Sequence, residues 1–293
     1  MYQIGVAPDQ LHHNRLFIVG DQIVNYIPFS ALPNPKNEKE PLLVNHEIIN
    51  LSSASLQLGL RQDRIPKPSK TLAILADPLF DYADFRMQSS AKTDITKIPR
   101  LYNRLLGTRK EAEAISKIVP ANQRLVKLDA LASRKAAISP DLGHYRILHF
   151  ATHGILDSQN PQRSGMVFSF IDEQDNLQRS LLSTPDTFNL KISADLVVLS
   201  GCTTALGKNV QGEGLVGLTS GLTYAGAKQV IAGLWTVDDE ATAQLMTYFY
   251  QGMLKDRQSP SAALRSAQLR LFDSKKFKNP YYWSAFTVQG GRF

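Results

Sequence analysis

The chain reads as an α/β domain in which a mostly parallel sheet is sandwiched between helices, with an N-terminal β-hairpin. Three observations predict it. Apolar segments such as Ile147-Leu148-His149-Phe150-Ala151 and Leu196-Val197-Val198-Leu199 are continuous rather than alternating, the pattern of strands covered on both faces. From residue 108 onward such segments alternate with helical ones. The chain has 293 residues, enough for a large core, and no apolar run approaches the ~18 residues needed to span a bilayer.

Each element has its own local signal. Residues 16–19 and 23–27 flank Gly20-Asp21-Gln22 and predict the hairpin, which Pro28 and Pro33 end. Residues 1–70 are therefore expected as an extension of a single domain over 1–293. Residues 72–76 read as a strand. Residues 81–106 are polar, basic and irregular, which predicts a long exposed loop. Thr108-Arg109-Lys110-Glu111 has the spacing of a capping box opening a helix to about Ile118. A strand over 125–128, a helix over 130–138, and strands over 146–151, 166–170 and 195–199 follow. Residues 215–224 are helical, with Gly226 as the stop. Residues 229–234 form a strand, and Asp238 or Asp239 caps a helix to about Leu254. Ser259 before Pro260 marks a helix to Phe272. Residues 284–288 close the chain as a strand.

The net charge is +7, and the excess is local: residues 61–110 carry eleven Lys or Arg against five Asp. The segment lacks interleaved aromatics and any recognisable nucleic-acid module, so a solvated surface is expected rather than direct nucleic-acid binding. Met1-Tyr2-Gln3-Ile4 does not open a signal peptide. A single cysteine cannot form an internal disulfide and suits a reducing cytoplasm.

That cysteine, Cys202, follows the strand ending in Leu199-Ser200-Gly201. His153 stands 49 residues earlier, after the strand ending in Phe150-Ala151-Thr152. In a parallel sheet, ligands sit outside the carboxyl ends of the strands, and both residues fall there. A thiol with pKa near ~8.5 needs a base, and an imidazole supplies one. The backbone N–H groups of Gly154 and of Cys202 itself are candidate donors to a developing oxyanion. A metal reading is poorer: His149, His153 and Cys202 lack the further Cys or nearby carboxylate that would complete a zinc set, so no metal and no cofactor are expected. Gly201 to Lys208 misses P-loop spacing and has Asn209 where Ser or Thr is needed. Gly212-Glu213-Gly214-Leu215-Val216-Gly217 fits a dinucleotide fingerprint by letter, but about a dozen residues separate it from the preceding strand.

The ordered segments together resemble a known family. Ile27-Pro28-Phe29-Ser30-Ala31-Leu32, Leu148-His149-Phe150-Ala151-Thr152-His153-Gly154, Leu196 to Cys202, Ala225-Gly226-Ala227, Gly233 to Asp239 and Pro280 to Phe286 resemble the CHAT domain. This is the caspase-like domain of the caspase, separase and gingipain group, often attached to tetratricopeptide repeats. The resemblance implies a caspase-like fold and a cysteine endopeptidase in which His153 activates Cys202 and protonates the leaving amine. It also implies a protein or peptide substrate, no membrane, and an activating partner or sensor domain elsewhere. By the same likeness Trp235, Thr236, Asp238 and Asp239 are candidates for the substrate groove, the last two as acceptors of a basic P1 side chain. Asp157, just past His153, is a candidate to orient the imidazole or to line the groove, and equally a loop residue. Asp238 and Asp239 fit equally well as a helix N-terminus complementing the dipole. Thr203 stands where many members carry Glu directly after the cysteine. A catalytically silent CHAT scaffold is the alternative reading.

Overall fold

A computed structural model describes residues 14–20, 22–51, 67–81, 84, 86, 102–155, 157, 160–201, 213–236 and 238–291. The strands are β1 (Arg15–Val19), β2 (Pro33–Asn34), β3 (Asn37–Pro41), β4 (Glu47–Leu51), β5 (Lys70–Pro78), β6 (Arg124–Asp129), β7 (Tyr145–Ala151), β8 (Gly154–Ile155), β9 (Gly165–Val167), β10 (Leu181–Ser183), β11 (Leu196–Leu199), β12 (Gln229–Gly233) and β13 (Phe286–Gly290). The helices are α1 (Leu106–Ser116), α2 (Arg134–Ala137), α3 (Thr184–Phe188), α4 (Glu213–Tyr224), α5 (Asp239–Leu254), α6 (Pro260–Phe272) and α7 (Pro280–Trp283).

Eight strands form one sheet in the order β1-β4-β13-β12-β11-β7-β5-β6. Neighbours run parallel except at β12–β13. Residues along each central strand turn alternately to two apolar layers, which is why the strands read as unbroken apolar runs. Leu72, Ile74, Ile147, Leu196 and Val198 pack on one face with Ala112 and Ile115 of α1 and Leu245 and Phe249 of α5. Ala73, Leu75, Leu148, Phe150, Val197 and Leu199 pack on the other with Leu218 and Leu222 of α4. Each fully buried Leu, Ile or Phe contributes roughly 1.5–3 kcal/mol of transfer free energy. Among the described residues, no helix is long and apolar enough to cross a membrane.

Several expectations are corrected. The arms proposed over 16–27 do not pair. Residues Gln22–Tyr26 coil into a 3-10 helix, and β1 instead pairs in parallel with β4, so both are strands of the main sheet rather than an appended extension. A non-local partner with buried Ile49 and Leu51 outcompetes the local turn. The N-terminal hairpin lies farther on, between β2 and β3. The capping box is not made: α1 starts at Leu106, the Thr108 hydroxyl donates to the Leu105 carbonyl at 2.7 Å, and Glu111 turns into the core. Only Arg134–Ala137 of the helix expected over 130–138 forms, capped by Ser133. The 166–170 strand shortens to β9, in a separate antiparallel sheet with β8 and β10. Within the described parts of the 81–106 loop the side chains of Arg86 and Arg104 are 11% and 17% exposed, whereas Leu106 is 59% exposed. The remainder of that loop lies outside the described residues.

Candidate active site

β7 and β11 are adjacent and parallel, with Leu199 opposite Phe150. The ladder continues past β11, because the Ser200 N–H donates to the Phe150 carbonyl at 3.1 Å. One step on, Gly201 lies against Thr152 so closely that a Cβ there would stand 2.6 Å from the Thr152 nitrogen. Only glycine lets the two backbones meet. Residues 202–212 lie outside the described residues, and with them Cys202, its N–H, Thr203 and the near P-loop segment.

His153 follows β7 and is 7% exposed. Its Nε2 lies 2.7 Å from the backbone carbonyl of Asn103, in the segment leading into α1. A carbonyl can only accept, so Nε2 carries the proton and the neutral ring has its lone pair on Nδ1. The rings of Phe80 and Tyr102 pack against the imidazole at centroid distances of 4.9 and 5.3 Å. Burial lowers the His153 pKa, against the opposing pull of the Asn103 bond and the Asp239 charge. The ring is thus a neutral base at pH 7. Burial also raises the Tyr102 pKa, so its phenol stays protonated.

Gly154 opens β8. It stands opposite Met166, and the ladder bond beside it runs from the Val167 N–H to the His153 carbonyl. Asp157 closes its own loop: its Oδ1 accepts from the Asn160 N–H at 2.9 Å, and its N–H donates to Ser164 Oγ at 2.9 Å. The group that orients the imidazole is the Asn103 carbonyl, a backbone atom that no side-chain pattern announces.

A small cleft lies beside Gly201, between the start of α1 and the start of α5. Trp235, Thr236 and Asp239 line it, joined by Glu111, Ser200 and Thr242, which sequence reasoning missed. Trp235 is fixed by its Nε1–H donating to the Tyr281 carbonyl at 3.1 Å. Thr236 Oγ1 is buried with no hydrogen-bond partner among the described residues. The two aspartates divide. Asp238 caps α5, accepting from the Glu240 and Ala241 N–H groups at 3.0 Å each. Asp239 faces the cleft, and its Oδ2 accepts from the Gly107 N–H at 3.3 Å.

The electrostatics make a prediction. Asp239→Asn removes a charge that stabilises the His153 imidazolium, so the His153 pKa should fall further and the acid limb of any rate that depends on it should move to lower pH. An imidazole NMR titration reads this directly; an upward or absent shift would refute it.

Among the described residues, no three His, Cys, Asp or Glu side chains group to hold a metal. Both His149 nitrogens face other partners, Tyr250 on one side and Ser200 and Glu111 on the other. Gly217 and Gly221 pack α4 against α3: a Cβ on Gly221 would meet Phe188 at 3.0 Å and one on Gly217 would meet Thr184 at 3.3 Å. These contacts account for part of the glycine-rich run without a nucleotide.

The CHAT domain family model matches residues 1–291. This chain belongs to the CHAT domain family. The CHAT domain described above is 37% identical over 114 residues to tetratricopeptide repeat protein 28 of Mus musculus and 33% identical over 114 residues to that of Homo sapiens. Each match covers 39% of this chain but only 5% and 4% of those proteins, so the chain spans a small part of the curated relatives it matches. Among solved structures it is similar to separase of Saccharomyces cerevisiae in complex with securin, with TM-score 0.53 and 12% identity over 92% of this chain and 15% of that one. It is also similar to the Arg-specific cysteine proteinase gingipain R, with TM-score 0.52 and 10% identity over 84% of this chain and 54% of that one. At these identities the likeness is one of fold, and the fold is caspase-like.

Proposed function

We propose that this CHAT domain is a cysteine endopeptidase acting through His153 and Cys202. The observation that carries the reading is the contact of Gly201 with Thr152: the residues that directly precede the two reactive positions in the chain meet where β7 and β11 end. The Cys202 proton passes to His153 Nδ1 as sulfur bonds to the scissile carbonyl carbon. The N–H groups of Gly154 and Cys202 receive the oxyanion. The imidazolium then protonates the amide nitrogen, the C–N bond breaks, and water activated by the same imidazole releases the acyl group. No step draws on a metal or cofactor.

The substrate is a protein or peptide whose P1 side chain enters the cleft, with Trp235 as its wall. The Asp239 carboxylate and the Thr236 hydroxyl there suit a basic or hydrogen-bond-donating side chain, whereas Asp238 is occupied by its cap. Asp157 is engaged with Ser164 and Asn160 in its own loop. A partner or sensor domain supplies regulation, and the reducing cytoplasm keeps the lone thiol competent.

Electrophilic peptide probes of varied P1, added to the chain alone and read by mass spectrometry, test the reading. An adduct on Cys202, slowed by His153→Ala, is expected. Absence of any adduct across the P1 set, with candidate partners present, would instead favour a silent scaffold.

A further inference from the structure

We propose that Arg104, held by Asp77, is a positioning residue for His153: Asp77 grips Arg104 with both carboxylate oxygens, and the next residue back, Asn103, places its carbonyl on His153 Nε2. The inference rests on the reading of His153 as the base.

Asp77 lies near the end of β5, fully buried, with φ 48°. A non-glycine residue in the left-handed region is uncommon and persists only where its surroundings over-determine it. Here they do. Arg104 Nε donates to Asp77 Oδ1 at 2.9 Å and its Nη2 to Oδ2 at 2.6 Å, the two-pronged geometry that suits a guanidinium. Arg109 Nε, from α1, donates to Oδ2 at 2.7 Å. Arg86 Nη1 stands 2.9 Å from Oδ2 and also donates to the Asp77 carbonyl at 2.9 Å, fixing the turn itself. Asp129, at the end of β6 with φ 55°, binds Arg86 and Arg109, and Asp84 binds Arg86. Three carboxylates thus face three guanidiniums. This balance offsets the desolvation that a buried carboxylate would otherwise suffer, and the guanidiniums of Arg86 and Arg109 are pushed above their usual pKa against their own burial.

The six cluster residues do not line the cleft and take no part in the chemistry proposed above. Its effect reaches the site through the short segment 102–105, which is anchored at Arg104 and continues into α1 at Leu106. Within it, the Asn103 carbonyl meets Nε2 and the Tyr102 ring covers the imidazole, while Phe80, three residues beyond Asp77, covers it from the β5 side. The imidazole is therefore oriented by backbone and rings that the Asp77–Arg104 pair sets in place. Arg109 shares the carboxylate but enters from the helix, so it stabilises the cluster without fixing Asn103.

Histidine-labelled full chain, studied by long-range proton–nitrogen NMR with the His153 signal assigned by its loss in His153→Gln, tests this. The wild type should show the Nε2–H tautomer. Arg104→Gln should give a mixture of tautomers, Arg104→Lys, which cannot make two parallel bonds, a smaller shift of the same kind, and Arg109→Gln a lower melting temperature with the tautomer kept. In a peptide-cleavage assay, Arg104→Gln should lower kcat about 100-fold, the scale of loss expected from a misplaced reacting group, with KM little changed. If Arg104→Gln does not fold, Arg104→Lys decides by the same tautomer readout. A folded Arg104 variant that keeps the wild-type tautomer, or a wild type lacking it, overturns the inference. A tautomer that responds to Arg104 in a chain that cleaves nothing supports the positioning role and overturns the peptidase reading instead.

Discussion

Cys202→Ala should cleave no peptide bond at any pH, whereas His153→Ala should retain a trace that depends on the leaving group. Alanine at 202 removes the only atom able to form the acyl bond, and disabling a nucleophile of this kind costs up to about 10⁶-fold in kcat. In the proposed mechanism the histidine does two jobs. As base it raises the thiolate fraction, and a thiol of pKa near ~8.5 recovers part of that function unaided as the pH rises. As acid it protonates the departing amine, and no increase in pH replaces that. General acid–base catalysis of this kind is worth about 10²–10⁴-fold. An activated ester, whose alkoxide or phenoxide leaves without a proton, should therefore be cleaved by His153→Ala far better, relative to wild type, than the matching amide. Equal losses on ester and amide would refute the acid role. Unchanged amide cleavage by Cys202→Ala would refute the whole mechanism.

What could be read in the sequence was what is written locally. Leu72 to Ala76 and Leu196 to Leu199 announce buried strands because both faces are covered, and the strands form within two residues of those bounds. Ser259 before Pro260 marks the start of α6 because the cap bond, from the Ala262 N–H to the Ser259 hydroxyl, is made within three residues. The partner of β1 was missed because it lies across the chain in β4, where only the packed sheet decides the pairing. Thr108 and Glu111 matched a capping motif, yet Glu111 is drawn to His149 in the core, a partner that local spacing does not reveal. Arg86, Arg104 and Arg109 counted as part of a basic excess, since composition counts charges and not the carboxylates that meet them. His153 was legible as a reactive side chain at a strand end; the carbonyl that orients it was not, since every residue has one.

His149→Ala, four residues from His153, should cost about 2–5 kcal/mol of stability, the range for truncating a large side chain in a packed core. His149 is fully buried between the sheet and the layer formed by α1 and α5. Its Nδ1 meets the Tyr250 hydroxyl at 2.9 Å, and its Nε2 lies 3.1 Å from Ser200 Oγ and 3.0 Å from Glu111 Oε1. Ser200 and Glu111 crowd the same nitrogen, so the trio is not a serine nucleophile with its base and orienting acid, in which the two partners take opposite sides of the ring. It is a buried polar network. Burial first, and the Glu111 charge second, hold the Tyr250 pKa well above its usual value, so its phenol keeps its proton to donate to Nδ1. Nε2–H then faces the carboxylate. Alanine at 149 removes the ring nitrogens that meet Tyr250 and Ser200 and lie beside Glu111, and leaves a cavity besides, and both effects act in the same direction. Urea unfolding should show the midpoint falling with the slope unchanged. A loss below about 1 kcal/mol would mean that water or a shifted Tyr250 satisfies Glu111. His153→Ala removes a ring from the rim of the site and strands no buried carboxylate, so its unfolding midpoint should move far less. The two histidines of one strand and its end thus separate by experiment: the first holds the core together, and the second is the one proposed to take the proton.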